Sequence, residues 1–306
     1  MLKNVYCFGT SYTEGGGFEF SEKDLKLTRL YDHLGIELNQ FNFSWPGQLQ
    51  SLLGNDIKIH NLAKSGYGNE RIHRVFFDLI EQKDNISKDS IFLFEIASLG
   101  RKEYYLNDLN EYIICNYSIK SGNDTGEMHG IASTYFYDTP EITKTIIDNE
   151  ELFNQVIKKT INFNIEHKLY ERNFILLLSF LELHNFKYFI LGNINLNPKY
   201  NRYTPDYISK TIWFPSKTNK TKKGDFVQFF NEYNLTLTEE TKGVIKDGHS
   251  GYVGNKLTAE IIYNHLIDVN VIDSNKVELT DYTKDYIFEP SGKTPMDNFL
   301  EPINKN

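Results

Sequence analysis

Cysteine is nearly absent from this chain, with two among 306 residues, Cys7 and Cys115. Two thiols so far apart exclude a disulfide-stapled scaffold. Cys7 stands in the apolar run Val5 to Phe8 and is expected as a buried free thiol. Long apolar runs are missing too. None approaches the ~18 residues that a membrane span needs. The start, MLKNVYCFGTS, lacks the apolar centre of a signal peptide. Metal-ligand spacings are absent as well: there is no His-Glu-x-x-His and no Cys-x-x-Cys, and His60, His73, His129, His167 and His265 fall into no ligand pattern. No metal or other cofactor is expected. Positive charge is in deficit, 33 Lys and Arg against 41 Asp and Glu, for a net charge of −8. Such a chain has no long-range attraction for phosphate backbones or anionic lipid, which excludes nucleic acid and membrane as expected partners. The basic stretch Lys217 to Lys223 reads as a solvated loop. The expected setting is the cytoplasm, or a viral or phage particle assembled inside a cell.

Apolar residues make up 40% of the chain and aromatics 14%, enough to fill a sizeable core. The length suits one large domain, read as residues 1–272, followed by an extension over 273–306 rich in charge, Pro and Gly. Within the domain, strand-like and helix-like patterns alternate. Val5 to Phe8 is a short apolar strand ending at Gly9, with Gly15-Gly16-Gly17 close behind. Helical spacing follows over Trp45 to Leu53, then a strand over Ile57 to Leu62, a helix over Asn69 to Glu81 and a buried strand over Ser90 to Ile96. Glu150 to Asn185 reads as one broken helix or two, Lys187 to Leu191 as a strand and Gly254 to Ile267 as a helix. This order predicts an α/β fold with a mostly parallel sheet covered on both faces. Residues 102–148 and 195–243, rich in Tyr, Asn and Lys with irregular periodicity, are expected as two insertions at a sheet edge.

Three short segments can carry chemistry. In Phe8-Gly9-Thr10-Ser11-Tyr12-Thr13-Glu14-Gly15 a strand runs into a glycine-flanked turn, placing Ser11 at the carboxyl edge of the sheet. A plain turn uses the same residues. In Lys246-Asp247-Gly248-His249-Ser250-Gly251, ahead of a helix, His249 can act as a base and Asp247 can orient it. A surface loop with a stray histidine reads the same way. In Asn61-Leu62-Ala63-Lys64-Ser65-Gly66-Tyr67-Gly68-Asn69, exposed backbone N–H groups can stabilise an oxyanion. A phosphate cradle competes there, but no Gly-Lys-Ser/Thr follows. Glu95 interrupts an apolar strand, and Arg101 is its expected structural partner.

Taken together and in this order, the segments resemble the SGNH hydrolases, also called GDSL esterases. Gly9-Thr10-Ser11-Tyr12-Thr13-Glu14-Gly15 is similar to the family's first block, Gly-Asp-Ser-Leu-Thr-x-Gly. Asn61 to Gly66 resembles the second block. Asp247-Gly248-His249, with Ser250, Gly254 and Ala259 behind it, resembles the last. The likeness spans about residues 4–101 and 180–267. It implies a flavodoxin-like three-layer α/β/α sandwich. It also implies a Ser11–His249–Asp247 triad, with the N–H groups of Ser11 and Gly66 as oxyanion donors. Thr10 stands where the family has Asp. The family's Gly-x-Asn-Asp block is missing, so Ser98 or Asn193 is expected to replace its Asn. One residue separates acid from base, where the family usually has two. The implied activity is hydrolysis of a small acyl ester, with acetyl groups on a glycan among the substrates. The alternatives are a non-catalytic glycan-binding or structural module, and acyl transfer to a sugar through the same residues.

Overall fold

The computed structural model describes residues 2–18, 31–82, 86–97, 100–106, 111–119, 126–131, 162–192, 206–218, 226–241 and 245–280, with isolated residues between these stretches. Its centre is a five-stranded sheet of β1 (Asn4–Phe8), β2 (Lys58–Asn61), β3 (Ser90–Glu95), β7 (Lys187–Leu191) and β8 (Thr211–Ile212). The order across the sheet is β2-β1-β3-β7-β8, and every pairing is parallel. Counting sheet strands alone, this is the 2-1-3-4-5 order of flavodoxin-like doubly wound folds.

Side chains alternate across the sheet and so build two cores. Val5, Cys7, Ile91, Leu93, Phe189 and Leu191 point to one face. There they meet Trp45 and Leu49 of α2 (Trp45–Leu53) and Leu257, Ile262 and Leu266 of α7 (Tyr252–Asp268). Tyr6, Phe8, Phe92, Phe94, Tyr188 and Ile190 point to the other face. They pack on Ile72 and Phe76 of α3 (Asn69–Gln82) and on Phe174, Leu177 and Leu181 of α4 (Phe163–Leu183). The architecture is a three-layer α/β/α sandwich. Strands apolar on both faces are what a parallel sheet between two helix layers requires. Local chemistry sets the helix starts. Ser44 caps α2 by accepting from the Gly47 N–H at 3.3 Å, with Pro46 in the first turn, and Asn162 caps α4 through the Ile165 N–H. Cys7 is a buried free thiol, and burial pushes its pKa well up. No helix among the described residues is long and apolar enough to cross a membrane.

Two stretches hold more regular structure than their irregular periodicity suggests. Within 102–148 lies an antiparallel three-stranded sheet of β4 (Arg101–Leu106), β5 (Glu111–Ile119) and β6 (Gly126–Ile131). Main-chain ladders hold these strands, so they need no clear alternation of apolar and polar residues. Stretch 195–243 supplies β8, the fifth strand of the main sheet. It also supplies α5 (Phe226–Glu232), whose Phe226, Phe229 and Phe230 are buried in the first core. Its Lys-rich composition masks these core residues in the sequence. The start of the extension packs along α7: Glu260 accepts the Thr280 N–H and hydroxyl, and Asn264 pairs twice with Val277. Residues 281–306 lie outside the described residues.

The packing makes a direct prediction. Phe92 is fully buried at the sheet centre, so Phe92→Ala should lower unfolding stability by about 3–5 kcal/mol, read by chemical denaturation.

Candidate active site

The carboxyl ends of β1 and β3 lie side by side, and the candidate site begins where these two strands end. After β1 the chain turns at Thr10 into the short helix α1 (Ser11–Glu14). Ser11 is its first residue and is buried, 4% exposed. The turn is held from below by Glu95, the last residue of β3, which is 2% exposed. Its carboxylate accepts the Thr10 and Thr13 N–H groups, each at 3.0 Å, and both threonine hydroxyls. Trp45 Nε1 then donates to the Thr13 hydroxyl at 3.2 Å. Four donors offset the desolvation of a buried carboxylate that would otherwise be costly. The expected Glu95–Arg101 ion pair is therefore corrected. Glu95 is occupied by the turn, and Arg101 Nη1 donates instead to the Tyr67 carbonyl at 2.9 Å.

His249 and Asp247 come from the loop ahead of α7. His249 Nδ1 lies 2.6 Å from Asp247 Oδ1, and the same oxygen accepts the His249 backbone N–H at 2.7 Å. One residue of separation is thus sufficient for this pair. Burial pushes the Asp247 carboxyl up, but the hydrogen bonds from the His249 ring and backbone outweigh it and hold the pKa below its ordinary value. The loop is clamped to α6 (Leu237–Glu240). Thr238 Oγ1 accepts from the Asp247 N–H and donates to the Asp247 carbonyl, both at 2.7 Å, while the Leu237 N–H donates to the His249 carbonyl at 2.7 Å. Tyr12 packs edge-on against the His249 ring, with centroids 5.3 Å apart, and its hydroxyl donates to the Gly248 carbonyl.

Ser11 and His249 meet over the glycine run. A Cβ built on Gly16 would lie 2.9 Å from Ser11 Cβ and 3.1 Å from both Nε2 and Cδ2 of His249. One on Gly17, at φ +87°, would stand 3.4 Å from the Asp247 carboxylate. A side chain at Gly16 would crowd both Ser11 and His249, whereas at Gly17 it is the left-handed backbone that favours glycine. No hydrogen bond joins Ser11 to His249 among the described contacts, and such bonds are often loose before substrate binds.

The second segment is tied to α1 from the side. Asn61 Nδ2 donates to the Thr13 carbonyl at 2.9 Å, Glu14 accepts the Ser65 N–H, and Lys64 pairs with Glu14 at 3.5 Å. Gly66 occupies the turn at φ +78°. Asn69, by contrast, is committed elsewhere, since its amide clamps both the N–H and the carbonyl of Ala97. Ser98 and Asn193 lie outside the described residues. Among the described residues no three His, Cys, Asp or Glu side chains gather as metal ligands would. Residue type and spacing thus mark Ser11, Asp247, His249 and Gly66 but miss the roles of Tyr12, Gly16, Gly17, Thr238 and Glu240. The triple glycine is the one visible signal for these.

Glu240 supports the loop from behind. Its buried carboxyl accepts the Tyr31 hydroxyl at 2.6 Å and the Tyr252 and Val253 N–H groups that open α7. Burial pushes its pKa up to about 7, against the pull of these hydrogen bonds. Between its ordinary value and about 7 the folded chain holds a proton that the unfolded chain has lost, so stability falls as pH rises through that window. Glu240→Gln should remove this component. Melting curves from about pH 5 to about pH 8 should show wild type losing stability relative to the variant.

A comparison with protein-family models finds none that matches the chain, and a comparison with curated proteins finds no significant match.

Proposed function

We propose that this chain is a serine esterase of the SGNH type that hydrolyses small acyl esters, with acetylated glycans among its substrates. The observation that supports it most is the convergence at Gly16. A buried serine at the carboxyl edge of a parallel sheet borders the same small volume as Nε2 of a histidine whose Nδ1 is bound to a carboxylate. Two segments remote in sequence supply these groups.

In this reading His249 Nε2 takes the Ser11 proton as Oγ attacks the ester carbonyl carbon. Asp247 holds Nδ1–H and stabilises the imidazolium. The N–H groups of Ser11 and Gly66 receive the oxyanion. The imidazolium then protonates the leaving alcohol, and the acyl group stays on Ser11. Water, deprotonated by His249, attacks the acyl-enzyme and releases the acid, returning the proton to Ser11. A neutral His249 at the start is required, so activity should fall when the ring is protonated.

Ser11→Ala tests the reading with p-nitrophenyl acetate. Wild type should turn the ester over, and the variant should be slower by at least ~10³-fold. Inertness of wild type to this ester, together with failure of a fluorophosphonate to label Ser11, would overturn it. Gly16→Ala offers a second check. Its methyl group would occupy the space between Ser11 and His249, so kcat should drop at least ~10-fold while the melting temperature stays within a few degrees.

A further inference from the structure

Most cations around the site are partnered. Lys64 pairs with Glu14, Arg74 with Glu103, and Lys102 with Glu70 and Glu166. Arg101, the first residue of β4, differs. It is partly buried, and among the described residues its guanidinium makes a single hydrogen bond, from Nη1 to the Tyr67 carbonyl. No carboxylate pairs with it there. The acid expected to do so, Glu95, is fully engaged with Thr10 and Thr13.

Position ties this guanidinium to the candidate site. Tyr67, whose carbonyl it holds, directly follows Gly66. The Arg101 Cβ and carbonyl press on Gly68, where an added Cβ would lie 3.0 Å from each. Arg101 is also near enough to feel the charge of Glu95, which holds the Ser11 turn, and of an ionised Tyr12 within that turn. Burial lowers its pKa, and those two groups only partly offset the effect. Arg71, on the other side of Tyr67, is accounted for by contrast: its guanidinium lies over the Tyr67 ring at 4.9 Å and donates to the Leu62 carbonyl.

A guanidinium partly withdrawn from water with most of its N–H fork unused gains from an anion that completes it. Groups in that condition gather where ligands bind. The fork matches a carboxylate bidentately. We propose that Arg101 is a specificity-determining residue that binds a carboxylate on the substrate, so that the preferred substrates are acyl esters carrying a negative charge near the scissile bond. The inference rests on the esterase reading of Ser11 for its catalytic part. An excess of negative charge over the chain as a whole makes a local cation necessary if such a substrate is to be held.

The test compares p-nitrophenyl acetate with the mono-p-nitrophenyl ester of succinic acid, in wild type, Arg101→Met and Arg101→Lys. Wild type should favour the succinate ester by at least ~10-fold in kcat/KM, as a charge-assisted hydrogen bond implies. Arg101→Met should abolish that preference, bringing the ratio of kcat/KM for the two esters to about one. Arg101→Lys should keep part of it. A binding measurement separates this from catalysis: free succinate should raise the melting temperature of Ser11→Ala, and not of Ser11→Ala with Arg101→Met. If wild type cleaves neither ester but succinate still stabilises in an Arg101-dependent way, the anion site stands and the esterase reading fails. Equal loss of both esters in Arg101→Met would overturn the proposal. So would a wild type indifferent to the succinate charge, or no stabilisation by succinate.

Discussion

Glu95 ends a strand whose other residues are buried and mostly apolar, and it carries a carboxylate into a place where water cannot reach it. What makes this tolerable is the turn after β1, which offers two backbone N–H groups and two hydroxyls to the same carboxylate. The dependence is mutual. Without the turn the carboxylate would be buried and unsatisfied, and without the carboxylate the N–H groups of Thr10 and Thr13 would lack this acceptor. Register between β1 and β3 brings the two together, since Phe8 pairs with Phe94 and the chain ends emerge side by side. The position of Ser11 is therefore a property of the sheet, transmitted through Glu95.

The Asp247–His249 loop is held by a separate set of contacts. Thr238 grips both backbone groups of Asp247, and Glu240 caps the helix that begins just after His249. Both residues belong to α6, and α7 is packed on the first core by Leu257, Ile262 and Leu266. Two rigid frames thus converge, one carrying Ser11 and the other the histidine. They come together across Gly16, where an added Cβ would press on both Ser11 and His249. Two such frames fix the relative position of Ser11 and His249 through packing and hydrogen bonds already made in the folded chain.

Much of the fold is legible in the sequence because the periodicities are strong. Lys187 to Leu191 forms a strand with the predicted ends, and the helices over Trp45 to Leu53, Asn69 to Gln82 and Tyr252 to Asp268 lie within two residues of expectation. The β4–β6 sheet and strand β8 are not legible. A ladder of main-chain bonds leaves little trace in side-chain pattern, and β8 is two residues long.

By itself the sequence determined the layered α/β class, through alternating apolar patterns, and it singled out three candidate segments, through residue type and glycine placement. It could not say which partners those residues would take. Nearness in sequence and opposite charge match Glu95 to Arg101. Tertiary structure decided otherwise, because the turn after β1 engages Glu95 with four donors, while the Arg101 guanidinium donates to the Tyr67 carbonyl. Pairing in a folded chain depends on which groups the sheet register brings into contact, and that distance is absent from any linear spacing.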